Sequence, residues 1–374
     1  MTTTTTTTGP EPAFPTICAL AVDSPVTCLD FQGELLAAGS EDGQIRIYTL
    51  GLADASAAPG LRNLIACAKE EVASLAWAPR PGAGGPEGGK RELWAAAGAL
   101  ICRYEVGGPS AVVVMQAAET VRPLRDEEDV ISRIAIDGKG ANLAYATEDG
   151  VVGVVSLAPE RPKRAMRIGH SSVCDCVAFL PPNHGLVSAG YDYRIIQHEF
   201  SRGTLTNQLS LEQVTPTHAA VSLSPPFIQS MHVAPNGDLA CGLANGEIYL
   251  ASAARPEEKS KRKEKKEKKR RWAALAGHGV RQRAAEGPIV GVHHTGDGEL
   301  VACTLLGRLV HFRVSESPRW ELLRSETVQG VDKVNAMACS RAGRVALGGV
   351  TAGGKGVVVI KHLHPAEAPV EAEQ

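Results

Sequence analysis

The side chains best suited to chemistry fall in a few short runs. Cys174 and Cys176, with His170 and His184 close by, carry the atom types of a zinc site. Their one-residue gap puts both sulfurs on one face of a strand, whereas zinc sites use Cys pairs about two to four residues apart. Cys28 occupies the same repeat position as Cys176 in an earlier segment, which favours small core packing over ligation. His293 and His294 alternate across a strand, so they do not readily share one ion. Asp126-Glu-Glu-Asp129 is an acidic run, either solvated or set against a basic partner. There is no Gly-rich phosphate loop, no Gly-x-Ser-x-Gly elbow and no carboxylate pair in an acid–base frame. The residues therefore predict no catalytic group, no cofactor, no metal and no small-molecule substrate.

One run stands out for charge. Lys259 to Arg271 contains Lys259, Lys261, Arg262, Lys263, Lys265, Lys266, Lys268, Lys269, Arg270 and Arg271, interrupted by Ser260, Glu264 and Glu267. The whole chain carries a formal charge of −2. Without this run, 29 basic and 39 acidic residues remain, a net of −10, so one basic loop sits on an acidic body. Such a tract suits an import signal read by an importin, a phosphate-binding patch for nucleic acid, or a solvated insertion. Trp272 is the one aromatic beside it that would support base stacking.

These runs are spaced along a repeat. A six-residue pattern of apolar, any, small, apolar, any, apolar starts at Val26, Val72, Ile131, Cys174, Ile228, Ile289 and Val334. Each copy is followed by a second apolar strand, such as Leu35 to Gly39 or Leu186 to Gly190. A tight turn comes next: Asp42-Gly43, Asp149-Gly150, Asp192-Tyr193, Asn245-Gly246 or the less regular Gly307-Arg308. Asp-Gly and Asn-Gly between apolar runs predict hairpins with both turn residues at positive φ. A third strand follows, as in Ile45 to Tyr48.

A sheet of this kind cannot bury its faces alone, and radial stacking of seven buries them all. The prediction is an all-β chain: one seven-bladed β-propeller over residues 14–364, with an insertion at 255–286. The last copy ends at Val357 to Ile360 with no outer strand left, while Thr16 to Val22 has no blade of its own. That N-terminal strand is expected to pair into the last blade and close the ring. Residues 1–13, rich in Thr, and 365–374 are expected to be disordered.

Composition agrees. Aromatics are 4% of 374 residues, so the core must come from small and aliphatic side chains, and 39 Gly and 23 Pro suit many turns. The nine Cys show no disulfide framework. The first Lys or Arg is Arg46 and no apolar run is long enough to span a bilayer. The expected address is nucleus and/or cytoplasm, with no membrane contact.

The segment from Gly169-His170 through Ser188 and Asp192 to His198 resembles a WD repeat. The resemblance implies that His170, Ser188, Asp192 and His198 form a tetrad-like hydrogen-bond set within a blade, with His198 where Trp is usual. Tyr48, Tyr104 and Phe312 take the Trp place in three other blades, and no copy ends in Trp-Asp. Residues 126–157, 170–200 and 226–249 are similar to the WD repeat-containing protein 53 group, which also carries a late Lys/Arg-rich insertion. That likeness implies a substrate receptor of a cullin-4 ubiquitin ligase, docked through damaged-DNA-binding protein 1. The docking element of such receptors is Trp-Asp-x-Arg. Here the frame is His198-Glu-Phe-Ser201, with Arg202 one position late as the possible adaptor contact. The functional expectation is a protein-interaction scaffold; the alternative is a nuclear nucleic-acid- or ribosome-precursor-associated protein acting through the basic tract.

Overall fold

A computed structural model describes residues 13–51, 59–79, 91–107, 113–124, 126, 128–160, 162–181, 185–212, 224–253, 272, 274–276, 279–296, 298–314 and 320–363. These form strands and turns, with no helix among the described residues.

The strands make seven sheets, each ordered from the axis outward. Blade 1 is Val26–Gln32, Leu35–Ser40, Gln44–Thr49 and Gly60–Ala66. Blade 2 is Val72–Trp77, Arg91–Ala97, Leu100–Val106 and Glu119–Val121. Blade 3 is Ile131–Ile136, Asn142–Thr147, Val152–Ser156 and Lys163–Ala165. Blade 4 is Cys176–Leu180, Gly185–Ala189, Arg194–Glu199 and Thr204–Ser210. Blade 5 is Ile228–Val233, Leu239–Leu243, Glu247–Ala251 and Val280–Arg283. Blade 6 is Ile289–Gly296, Glu299–Thr304, Arg308–Arg313 and Glu321–Thr327. Blade 7 is Lys333–Cys339, Arg344–Val350 and Gly356–His362, completed by Thr16–Val22. An extra short strand, Val113–Met115, pairs in parallel on the outer edge of blade 1.

The seven-fold pattern has a mechanical origin. In six first strands the pairing slips just after the first repeat position, at Val26, Val72, Ile131, Ile228, Ile289 and Val334. Such a bulge kinks and twists the strand. It turns the first apolar residue into the gap between blades and the fourth toward the axis. The first-position side chains are fully buried, Cys174 of blade 4 included, although its paired strand begins only at Cys176. The fourth-position residues Leu29, Val177, Met231, Val292 and Met337 line an axial cavity of about 120 Å³.

Glycine in the second strand makes room for that buried residue. A Cβ on Gly39 would lie 2.8 Å from Val72, on Gly242 2.5 Å from Ile289, and on Gly348 2.6 Å from Val26. Each approach joins one blade to the next. The core is accordingly divided into seven clusters, one at each blade–blade interface.

Ring closure is as expected. Thr16–Val22 pairs antiparallel with Gly356–His362. Phe14 is buried against blades 6 and 7, and its N–H donates to Glu326 Oε2 at 2.9 Å. The buried Lys361 ammonium donates to Phe14 O at 3.2 Å and Thr16 Oγ1 at 2.9 Å, and pairs with Glu326. Asn335 of blade 7 donates to Val26 O of blade 1 at 2.9 Å.

Two expectations need correction. The insertion does not run to 286: Val280–Arg283 is the outer strand of blade 5, paired with Glu247–Ala251. Its Val-Arg-Gln-Arg sequence suits an exposed edge and lacks the apolar signal of an inner strand. The hairpins do not use two positive-φ residues. Only Gly43, Gly150, Tyr193, Gly246 and Gly307 are left-handed, and each N–H bonds back to the carbonyl three residues earlier. These are three-residue turns closed by one left-handed residue. The preceding Asp or Asn is chosen for its side chain: Asp42, Asp192 and Asn245 each accept the N–H two residues on. The N- and C-terminal segments expected to be disordered lie outside the described residues, Ala13 excepted.

Candidate interaction surfaces

Strand alternation gives the ring two faces. One carries the connections entering each first strand and the turns between second and third strands. It holds His170 and Asp192 of blade 4, and the tetrad assembles there. His170 Nδ1 and Asp192 Oδ1 are 2.7 Å apart, and His170 Nε2 and Ser188 Oγ 2.9 Å. Ser188 Oγ lies 2.9 Å from His198 Nε2. Ser171 N–H and Arg194 Nε add bonds to Asp192 Oδ2 at 3.0 and 2.7 Å.

The proton positions follow from these partners. A carboxylate only accepts, so His170 Nδ1 donates to Asp192 and its Nε2 accepts. Ser188 must then donate to His170 and accept from His198 Nε2–H. That leaves His198 Nδ1 as a bare lone pair, and it is the ring atom with no partner in its buried setting. His198 thus supplies the single N–H that Trp would. Burial, then the neighbouring His170, lowers the His198 pKa to about 4, which keeps the ring neutral. Burial would raise the Asp192 pKa, but the His170 hydrogen bond, with those of Ser171 and Arg194, holds it well below the carboxylate range. Blade 1 keeps only part of this set: Ser40 Oγ to Asp42 Oδ1 at 2.6 Å, with Arg46 donating to Ser40 at 3.2 Å. Tyr48, Tyr104 and Phe312 are buried in their blades as expected of Trp replacements.

The same face carries features that the repeat pattern did not single out. Phe227, entering blade 5, stacks on Tyr191 (5.3 Å, 20°) and on Tyr193 (5.4 Å, 12°). All three are half-buried, as is Arg194. Tyr193 has φ 65°, the one non-glycine residue described with positive φ. That conformation costs roughly 1–2 kcal/mol for a residue with a Cβ. The Asp192-Tyr193 turn, where other blades have Gly, was the available signal. Nearer the axis, Arg133 of blade 3 pairs with Asp175 of blade 4 at 3.0 Å.

The opposite face carries Arg202. Arg202 is exposed in the turn after Arg194–Glu199, its N–H bonded to Glu199 O at 3.2 Å. The tract from Lys259 to Arg271, including Lys261, Arg262, Lys263, Lys265, Lys266, Lys268, Lys269, Arg270 and Arg271, lies outside the described residues. Both of its flanks are placed. Ala253 N–H donates to Asp238 Oδ1 at 2.7 Å, and buried Trp272 donates from Nε1 to Gly237 O at 2.7 Å. Trp272, the aromatic considered for base stacking, instead fills the core between blades 4 and 5.

Of the remaining candidates, His184 and Glu127 lie outside the described residues. Cys174 Sγ bonds to the carbonyls of Cys176 and Ala189 at 3.6 and 3.5 Å, and burial pushes its thiol pKa up. His293 lies against His232 with ring centroids 3.8 Å apart and planes tilted by 37°, and His294 N–H donates to His232 Nδ1 at 3.1 Å. Among the described residues no three His, Cys, Asp or Glu side chains converge to hold a metal ion. Asp129 of the acidic run is buried and accepts Asp149 N–H at 3.2 Å, so it braces a turn. Also among them, no helix is long and apolar enough to cross a membrane.

The family description "WD domain, G-beta repeat" matches residues 18–49. That span starts in the strand donated to blade 7 and ends in the third strand of blade 1. No curated protein matches the chain by sequence. Among solved structures, the chain is similar to the crystal structure of the WD40 β-propeller domain of Doa1. The identity is 11%, the match covers 94% of this chain and 97% of that one, and the TM-score is 0.66. The chain is therefore a seven-bladed β-propeller of the WD40 kind, with a WD repeat recognisable in its sequence at residues 18–49.

Proposed function

We propose that the chain is a non-enzymatic scaffold that holds other proteins through the faces of its ring. The carrying observation is the half-buried aromatic group of Tyr191, Tyr193 and Phe227 beside Arg194. Tyr and Arg dominate binding hot spots because they bury large area and still hydrogen-bond. A turn that keeps a strained Tyr where glycine would be free supports a role for that ring at the surface.

Within this class the chain is a substrate receptor of a cullin-4 ubiquitin ligase of the WD repeat-containing protein 53 kind. The aromatic face holds the substrate, and the opposite face, with Arg202, meets damaged-DNA-binding protein 1. The second reading is nuclear association with nucleic acid or ribosome precursors through Lys259 to Arg271. Its support is the sequence itself: ten basic side chains within thirteen residues of a chain that is otherwise acidic. The same tract suits recognition by an importin, and the chain works in the nucleus and/or cytoplasm.

The test is affinity purification with mass spectrometry on four chains: wild type, Tyr193→Ser with Phe227→Ser, Arg202→Ala, and a deletion of residues 259–271. The ligase reading expects the adaptor and cullin-4 with wild type and their loss with Arg202→Ala. It also expects the double variant to lose other proteins while keeping the adaptor. Recovery of RNA-bound proteins that depends only on the tract, and weakens steeply with salt, supports the second reading. An unchanged protein set in the double variant refutes the aromatic surface.

A further inference from the structure

We propose that the face carrying the entries to the first strands binds a basic segment of a partner protein, its apolar side chains seated on blades 4 to 6 and its Lys or Arg side chains on the carboxylates of blades 1 to 3. This rests on the reading above that the group of Tyr191, Tyr193 and Phe227 holds a partner, and it names the chemistry of that partner. One backbone bond recurs on this face and fixes equivalent positions around the axis. The residue that opens the turn between second and third strands donates its N–H to the carbonyl just before the first repeat position of its own blade. The pairs are Glu41 to Pro25 at 3.0 Å in blade 1 and Glu148 to Val130 at 3.0 Å in blade 3. Blades 4, 5 and 6 have Tyr191 to Val173 at 2.9 Å, Ala244 to Phe227 at 2.8 Å and Leu305 to Pro288 at 2.8 Å. The next residues in these turns are Asp42, Asp149, Asp192, Asn245 and Leu306. The same ring positions are therefore acidic in blades 1 and 3 and aromatic or apolar in blades 4 to 6.

Blade 2 extends the acidic half. Glu70 and Glu71 lead into its first strand, and a Cβ on Gly98 would strike the Glu70 carboxylate, so that group lies over the turn of blade 2. Glu41, Asp42, Glu70, Glu71, Glu148 and Asp149 are all exposed. Among the described residues none of the six forms an ion pair. Burial first, and then the charges of Glu41 and Glu148, push the Glu71 pKa up, so carboxylates of three blades feel one another. Lys333 of blade 7 offsets part of this charge at Glu71.

The apolar half is continuous with the aromatic group. Leu305 and Leu306 follow it around the ring, and Leu306 is 67% exposed, more than any other large hydrophobic residue described. Apolar side chains open to solvent beside half-buried Tyr and Phe rings make an anchoring surface. Charge complementarity then chooses the occupant. Nucleic acid and acidic segments meet repulsion from the six carboxylates. The chain's own basic run from Lys259 to Arg271 contains no apolar residue, and the Trp272 that follows it is buried in the core, so it offers nothing to blades 4 to 6. A segment with both apolar and basic side chains satisfies both halves.

The test selects random phage-displayed peptides about twelve residues long, roughly 40 Å when extended, on the full chain. Fluorescence anisotropy then measures the affinity of the selected peptides. They are expected to carry net positive charge, with aliphatic or aromatic residues grouped in one half. Glu41→Gln with Glu71→Gln and Glu148→Gln should weaken them about tenfold and flatten their salt dependence. Tyr193→Ser with Phe227→Ser should also weaken them about tenfold, as should Leu306→Ser at its exposed position. Failure to select any peptide that these variants release overturns the proposal. So do neutral or acidic peptides, or basic ones that ignore the glutamine variant; if the Tyr193 and Phe227 double variant still releases those, the aromatic surface itself stands. Peptides indifferent to both that double variant and Leu306→Ser refute the aromatic surface and the proposal with it. A wild-type dimer in sedimentation, lost both in the glutamine variant and on deletion of residues 259–271, makes the occupant a second copy of this chain and also overturns the proposal.

Discussion

His198 shows how one side chain can stand in for another when a single N–H is what the position requires. Its Nε2–H completes the bond to Ser188, and its Nδ1 is left as an unprotonated lone pair. The two ends of this bond should respond unequally. Ser188→Ala orphans both the His198 N–H and the His170 Nε2 acceptor in a buried site, at about 2–3 kcal/mol. His198→Phe removes only an acceptance by Ser188, which still donates to His170, at about 1 kcal/mol. Urea unfolding midpoints of the two variants check the order; equal losses would contradict the assigned proton positions. The tetrad-like set was expected from the resemblance of the segment from Gly169 to His198 to a WD repeat. The aromatic stack was not. Phe227 meets Tyr191 and Tyr193 only because the entry to blade 5 lies over the turn of blade 4.

Among the elements, the strand that matters most is the one furthest from its partners in sequence. Thr16–Val22 contributes a full edge to blade 7, and Phe14, Lys361 and Glu326 fasten its start. Lys361→Ala should cost about 3–5 kcal/mol, because it leaves the Glu326 carboxylate buried without its cation. Changing Lys361 and Glu326 together to Met and Leu should cost less than the single change. Thermal unfolding of the single and double variants measures this; a larger loss in the double would mean the pair is a net source of stability. The spare strand could be found by counting, since a chain with seven third strands and one leftover has one way to close. Val280–Arg283 could not: an exposed edge strand carries no apolar period, and pairing with Glu247–Ala251 alone identifies it.

Across the whole molecule, stability should depend on pH through buried histidines. His198, His232, His293 and His294 all have lowered pKa values in the folded chain, each first because burial penalises the cation. The unfolded chain therefore takes up protons first as the pH falls below the ordinary value of 6.5. Each group withdraws stability from there down to its folded value, about 4 for His198 and for His293. The full loss for one such group is on the order of 3 kcal/mol. Asp30, pushed up to about 6 by burial, opposes this, because the folded chain then binds its proton first as the pH falls. Five lowered histidines, His362 included, against three raised carboxylates, Asp30, Glu71 and Asp175, give a melting temperature level near neutrality and falling from pH 6.5 toward 4. His232→Asn, which keeps an acceptor for His294 N–H, should shift that fall to lower pH. A melting curve in the variant identical to wild type would remove the histidine cluster as its cause.

What the sequence determined by itself was the architecture. A seven-fold apolar period, with turn residues at constant offset and one unclaimed strand, admits a closed ring and little else, because each sheet has two faces to bury. Only the tertiary structure decided which polar and aromatic groups meet across blades: the Tyr191, Tyr193 and Phe227 stack and the His232 and His293 contact. Those pairs depend on how far one blade rotates against the next. That rotation is fixed by bulges and close glycine contacts, which leave no mark in the one-dimensional pattern.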